Sequence, residues 1–137
     1  MKRLTLTIAL ALAASARAEP ERVGLHMLSA HQHAGYEAFT VGAYGVWSGG
    51  LTAGALRNSE RRLSLYLGQT WETSDRQWSL TVGGITGYRE TCLSPLLVPS
   101  FRTRLTQDLA LRLSAIPKPP RTGGSAAAHV SIEIDLK

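Results

Sequence analysis

From Val23 onward, apolar residues recur at every second position. Leu63, Leu65 and Leu67 alternate with Ser64, Tyr66 and Gly68. Leu109, Leu111, Leu113 and Ala115 alternate with Ala110, Arg112 and Ser114. Val130, Ile132, Ile134 and Leu136 alternate with His129, Ser131, Glu133 and Asp135. A repeat of two is the signature of a strand whose two faces meet different surroundings. Past the N-terminal segment, no window has the 3.6-residue period of an amphipathic helix. Strand candidates follow at short spacing: 23–30, 36–47, 51–58, 63–71, 78–88, 96–104, 109–115 and 130–136. Ser48-Gly49-Gly50 and Thr73-Ser-Asp-Arg76 are turn signals between them. The chain is therefore expected to be all-β, with about eight antiparallel strands in an up-and-down β-barrel; a sandwich is the other architecture this pattern allows. Closure would remove the exposed strand edges that invite aggregation.

The first 18 residues do not belong to that pattern. Met1-Lys2-Arg3 is basic, residues 4–14 are apolar, and Ala16-Arg17-Ala18 fits a signal-peptidase site. The expected organisation is a signal peptide over 1–18 and a single β-barrel domain over 19–137, hence an exported protein. Of the 15 lysines and arginines, Lys2, Arg3 and Arg17 lie in the signal. Twelve remain against 10 acidic residues. So small a surplus, without a basic stripe, speaks against nucleic acid as a partner. Cys92 is the single cysteine. No internal disulfide can form, and neither Thr91 nor Leu93 would activate it as a nucleophile.

Alternation does not say which face points inward. An apolar face turned to lipid would make a membrane barrel with a polar interior. The same face turned inward would make a soluble barrel, with Arg112, Glu133 and Asp135 in water. Trp47, Trp71, Trp78, Tyr88 and Phe101 sit near strand ends, where an aromatic girdle would lie. Against the membrane arrangement, the chain ends Leu136-Lys137 rather than on an aromatic residue. Pro99 interrupts the 96–104 segment; lacking an N–H, it predicts a bend, a bulge or an edge there.

The stretch from Gly54 to Gly68 reads as two strands meeting at a polar turn. It also opens a series of features, in order: Arg57-Asn58-Ser59, Leu67-Gly-Gln-Thr-Trp71-Glu72, Leu80-Thr-Val-Gly-Gly-Ile-Thr-Gly87, Pro95-Leu-Leu-Val-Pro-Ser100 and Ala115-Ile-Pro117. This order resembles the lipid A palmitoyltransferases of Gram-negative outer membranes and the small exported barrels related to them. The resemblance implies an eight-stranded barrel that holds an acyl chain, with a His and an Asp-Ser pair at its outer end. Ser59 matches the Ser. Asn58 stands in place of the Asp and can only hydrogen-bond where the acid would carry charge. His31 is the candidate for the His, with His33 second. The implied chemistry is acyl transfer: His31 as base, an acceptor hydroxyl as nucleophile, Asn58 and Ser59 stabilising the oxyanion. Read without the resemblance, Asn58-Ser59 makes a turn and the histidines are exposed loop residues. His26, His31 and His33 are close enough in sequence to raise a metal site, but they have no Cys partner and only Glu37 nearby. No cofactor and no metal are expected. The expected partner is the acyl chain of a phospholipid or lipopolysaccharide, the location the outer membrane or alternatively the periplasm, and the state a monomer. Two functions stand open: an envelope barrel that binds and transfers an acyl chain, and a non-catalytic binding or structural barrel.

Overall fold

A computed structural model describes residues 19–118, 120 and 125–136; the signal peptide expected over 1–18 lies outside the described residues. The chain is a closed antiparallel barrel of eight strands, each paired with its neighbours in sequence and the last with the first. They are β1 (Arg22–His31), β2 (Gly42–Val46), β3 (Leu51–Arg57), β4 (Leu63–Glu72), β5 (Trp78–Ile85), β6 (Ser94–Arg104), β7 (Leu109–Ile116) and β8 (Ala127–Asp135). The expected barrel is thus the observed one. Tight connections at 47–50, 73–77 and 105–108 lie at the end that also holds the start of β1 and the finish of β8. In the first of them Gly49 and Gly50 adopt φ of 82° and 88°, which a side chain would disfavour. The link from β7 to β8 and the connections 32–41, 58–62 and 86–93, most of them longer, lie at the other end.

The segment 36–47 is strand only from Gly42. Its first part instead docks along β1 and β3: the Ser29 amide donates to the Ala38 carbonyl (2.7 Å), and the Arg57 amide to that of Val41 (2.9 Å). Pro99 does not end β6, which pairs with β5 from Ser94 to Phe101. On its other side, though, β6 pairs with β7 only from Ser100↔Ser114 to Arg104↔Ala110. Residues 94–99, with Pro95 and Pro99 and their missing donors, form a local edge inside a closed barrel.

The barrel is apolar outside and polar inside. Glu133 is wholly buried, and Arg22, Arg102 and Arg112 nearly so, whereas Leu25, Leu65, Leu97 and Leu113 are exposed. Among the described strands, the outward positions carry one charge, Arg57, at the rim where β3 enters its turn. Trp78 packs on Phe101 (ring centroids 5.0 Å apart) at the short-turn end, with exposed Trp71 nearby on β4. Inside that end, Glu133 meets three guanidiniums. Arg112 Nη1 donates to Oε1 at 2.6 Å, Arg102 Nε to Oε2 at 2.7 Å, and Arg22 Nε lies 3.2 Å from Oε2 at ion-pair distance. Arg102 also binds Asp135, Arg22 binds Glu72, and the Tyr44 hydroxyl donates to Glu133 Oε1 at 2.6 Å. Three cations and three carboxylates therefore balance, which is the condition for burying such charges at all. Tyr44 fits because its cross-strand partners are Gly24 and Gly54. A Cβ at Gly54 would fall 2.6 Å from Tyr44 Cβ and 2.7 Å from the Tyr66 ring.

Candidate functional site

Above this plug, towards the long connections, the interior opens into a cavity of about 380 Å³, a size typical of small-ligand sites. Tyr44, Arg112 and Ser131 form its floor, and one wall is apolar, with Leu56, Ile85, Leu96, Val98 and Ile116 facing in. Leu97, whose side chain faces outward on β6, also lines it. Leu97, Ile116, Pro117, Ala127 and His31 are shared with a shallow groove on the outer wall. Cavity and groove thus flank the same stretch of wall, where β6 and β7 part.

The opposite wall carries a continuous chain of polar side chains. Tyr66 OH lies 2.8 Å from His26 Nε2, His26 Nδ1 lies 2.7 Å from His129 Nε2, and His129 Nδ1 lies 2.7 Å from Ser29 Oγ. Thr40 Oγ1 is 2.7 Å from Ser29 Oγ and 3.2 Å from His129 Nδ1. Each imidazole has both nitrogens engaged, so the protons must run in one direction along the whole chain. If His129 Nδ1 accepts from Ser29, then His129 Nε2 donates to His26 and His26 Nε2 donates to Tyr66. These contacts depend on an irregularity in β1. Its pairing with β8 shifts between His26↔Ser131 and Leu28↔Val130. Met27 and Leu28 both face outward, and Ser29 and His31 turn inward.

The residues singled out from sequence gather at the mouth of the same cavity: His31, Asn58 and Ser59 all line it. His31 Nε2 bonds the Glu37 carbonyl (3.0 Å), and the Glu37 amide donates to the Ser59 carbonyl (3.1 Å). Among the described residues, no hydrogen bond joins the three side chains to one another. Asn58 is buried and fully engaged in its turn: Nδ2 donates to Ser64 Oγ (2.9 Å) and the Gly87 carbonyl (3.0 Å), and Oδ1 accepts from the amides of Glu60 (2.9 Å) and Arg62 (3.0 Å). His31 Nδ1 is buried without a hydrogen-bond partner among the described residues. At the same rim the Phe39 amide, with Arg61 adding, holds the Glu37 carboxyl below its ordinary range; burial raises the Tyr88 hydroxyl above its own. His33 reaches Ser125 through its amide. Among the described residues, no group of His, Cys, Asp and Glu could hold a metal ion, and Cys92 is exposed.

Sequence reasoning passed over Ser29, Thr40 and His129. Ser29 belongs to the apolar face of β1, with Val23, Leu25 and Met27, if strict alternation continues, and His129 is 100 residues away. One signal was present: Met27-Leu28 places two large apolar residues side by side in a strand that otherwise alternates. Comparison with family models, with curated proteins and with solved structures yields no match.

Proposed function

We infer that this chain is an envelope β-barrel that sits in the outer membrane and seats a lipid acyl chain in its interior. The observation that carries this reading is the largely apolar cavity backed by an apolar groove on the outer wall, the two sharing their lining where β6 and β7 part. A sheath of exposed leucine, valine and isoleucine around buried arginine and glutamate is the polarity lipid selects and water opposes. An acyl tail could pass sideways from bilayer to cavity without crossing water. The resemblance to lipid A palmitoyltransferases supports the same occupant.

The test is saturable binding of a fluorescent fatty acid by the barrel refolded in detergent, with lipid mass spectrometry of the protein purified from membranes. Leu97→Trp, which fills the opening from the outer side, should slow ligand entry several-fold and leave the barrel folded. Absence of saturable binding, or release of the protein by osmotic shock, would sink the reading. A second reading adds transfer of the chain to lipid A by His31 with Asn58 and Ser59, and is favoured by their shared place at the cavity mouth. It requires an extra acyl chain on lipid A from expressing cells, lost in His31→Ala and Ser59→Ala. Lipid A unchanged by expression leaves a non-catalytic binding barrel.

A further inference from the structure

The geometry points to Ser29 as an acyl-accepting nucleophile inside the barrel, with His129 as its base, acting on the ester of the lipid whose tail the cavity holds. This rests on the acyl-binding reading above and adds a second seat of chemistry, separate from the residues at the mouth.

Three observations converge. The first is the order of contacts. A hydroxyl, a base and a group that orients the base stand in hydrogen-bond reach, as Ser29 Oγ–His129 Nδ1 and His129 Nε2–His26 Nδ1, both 2.7 Å. Tyr66 in turn fixes His26 at 2.8 Å. The second is register. Ser29 pairs with His129, His129 with Ser114, and Ser114 with Ser100. Ser100↔Ser114 is the last rung before β6 and β7 separate. The reactive pair therefore belongs to the row of paired residues that ends at the foot of the gap between β6 and β7, the side from which the ester of an entering lipid would arrive once its tail is inside. The third is that Ser29 owes its inward position to the break in β1 pairing. Satisfying a buried histidine alone would not need a bulge there. Ser29, His129 and Thr40 all line the cavity.

The step balances within these groups. Ser29 Oγ attacks the acyl carbonyl carbon and its proton passes to His129 Nδ1. The resulting imidazolium is held by His26 Nδ1, which accepts from His129 Nε2–H. The Thr40 hydroxyl, 2.7 Å from Ser29 Oγ, is placed to donate to the tetrahedral oxygen. The bond from the carbonyl carbon to the alcohol oxygen breaks, and that oxygen takes the proton from His129. Water or a second alcohol then attacks the acyl-serine, gives its proton to His129, and releases Ser29 with that proton returned.

A dodecyl fluorophosphonate, which traps ester-cleaving serines and carries an acyl-like tail, tests this on the wild-type barrel in detergent. Trypsin separates the candidates, because Ser29 falls in the peptide 23–57 and Ser59 in 58–61. The expected result is a phosphonyl group on Ser29, absent in Ser29→Ala and formed roughly 100-fold more slowly in His129→Gln. Ser29→Ala should keep the wild-type β-sheet circular dichroism, which separates lost chemistry from lost fold. Site mapping needs no variant, so a misfolded mutant does not spoil it. No label on a barrel that binds fatty acid overturns the nucleophile and leaves the acyl-binding reading. Label on Ser59 overturns it in favour of the mouth. Failure of the wild type to bind fatty acid removes the reading on which it rests.

Discussion

At the scale of single residues, Glu133 decides whether the interior can exist. It is wholly buried, and three guanidiniums converge on it. Removing its charge would leave Arg22, Arg102 and Arg112 sharing Glu72 and Asp135, out of water. Breaking one partner from a buried pair costs about 3–5 kcal/mol. Glu133→Gln, which keeps the shape, should therefore lower unfolding stability by about that much, read from urea titration of the barrel in bilayers. A shift under ~1 kcal/mol would mean that water or rearrangement satisfies the arginines. Residue identity here was half legible. The alternation of Ser131, Glu133 and Asp135 against Val130, Ile132 and Ile134 is plain in sequence. That the acids face inward and meet Arg22, more than 100 residues earlier, is not.

At the scale of strands, two departures from regular pairing shape the candidate site. The shift in β1 exchanges the faces of Ser29 and His31 relative to strict alternation. A one-residue change of register reverses every side chain beyond it. Deleting Leu28, the extra outward residue, should restore regular alternation with Ser29 still the next inward side chain after Met27, so fluorophosphonate labelling of Ser29 should persist while the barrel still forms. Loss of labelling from a folded barrel would show that the local shape of the bulge, and not only the inward face of Ser29, sets the site. The parting of β6 and β7 is the second departure. Pro99 announced a weak place in the ladder, and it lies there. Sequence could not tell which neighbour β6 would release, because the proline removes one donor and says nothing of the strand on either side.

At the scale of the whole molecule, polarity is inverted relative to a water-soluble barrel. Leu80 faces out and Thr81, beside it on β5, faces in and bonds Thr70 at 2.8 Å. If lipid surrounds the barrel, Val82→Arg, at the exposed outward position midway along β5, should cost about 2–4 kcal/mol. Thr81→Ala should cost only about 1 kcal/mol, the worth of a hydrogen bond. Unfolding from bilayers compares the two. A Val82→Arg protein as stable as the wild type would place that surface in water. The glycines act at this scale too: the row Gly24, Tyr44, Gly54 and Tyr66 alternates small and large across four strands, and so fits two rings into a narrow interior.

The sequence by itself determined the strands, their alternation and most of the turns. These are local properties: a period of two needs neighbours only a few residues apart, and Gly49-Gly50 makes its turn from its own backbone freedom. It also located the Gly54–Gly68 hairpin and the polar turn at Asn58. Tertiary structure alone decided which face is inside, because both orientations satisfy the same alternation, and the polar face can turn in only where Glu133 meets Arg22, Arg102 and Arg112 across the barrel. It also decided that Asn58 is locked in its turn, that β6 and β7 part above Ser100, and that His129 meets Ser29. Such contacts join residues far apart in the chain, and their geometry is settled by the register of eight strands around the closed barrel.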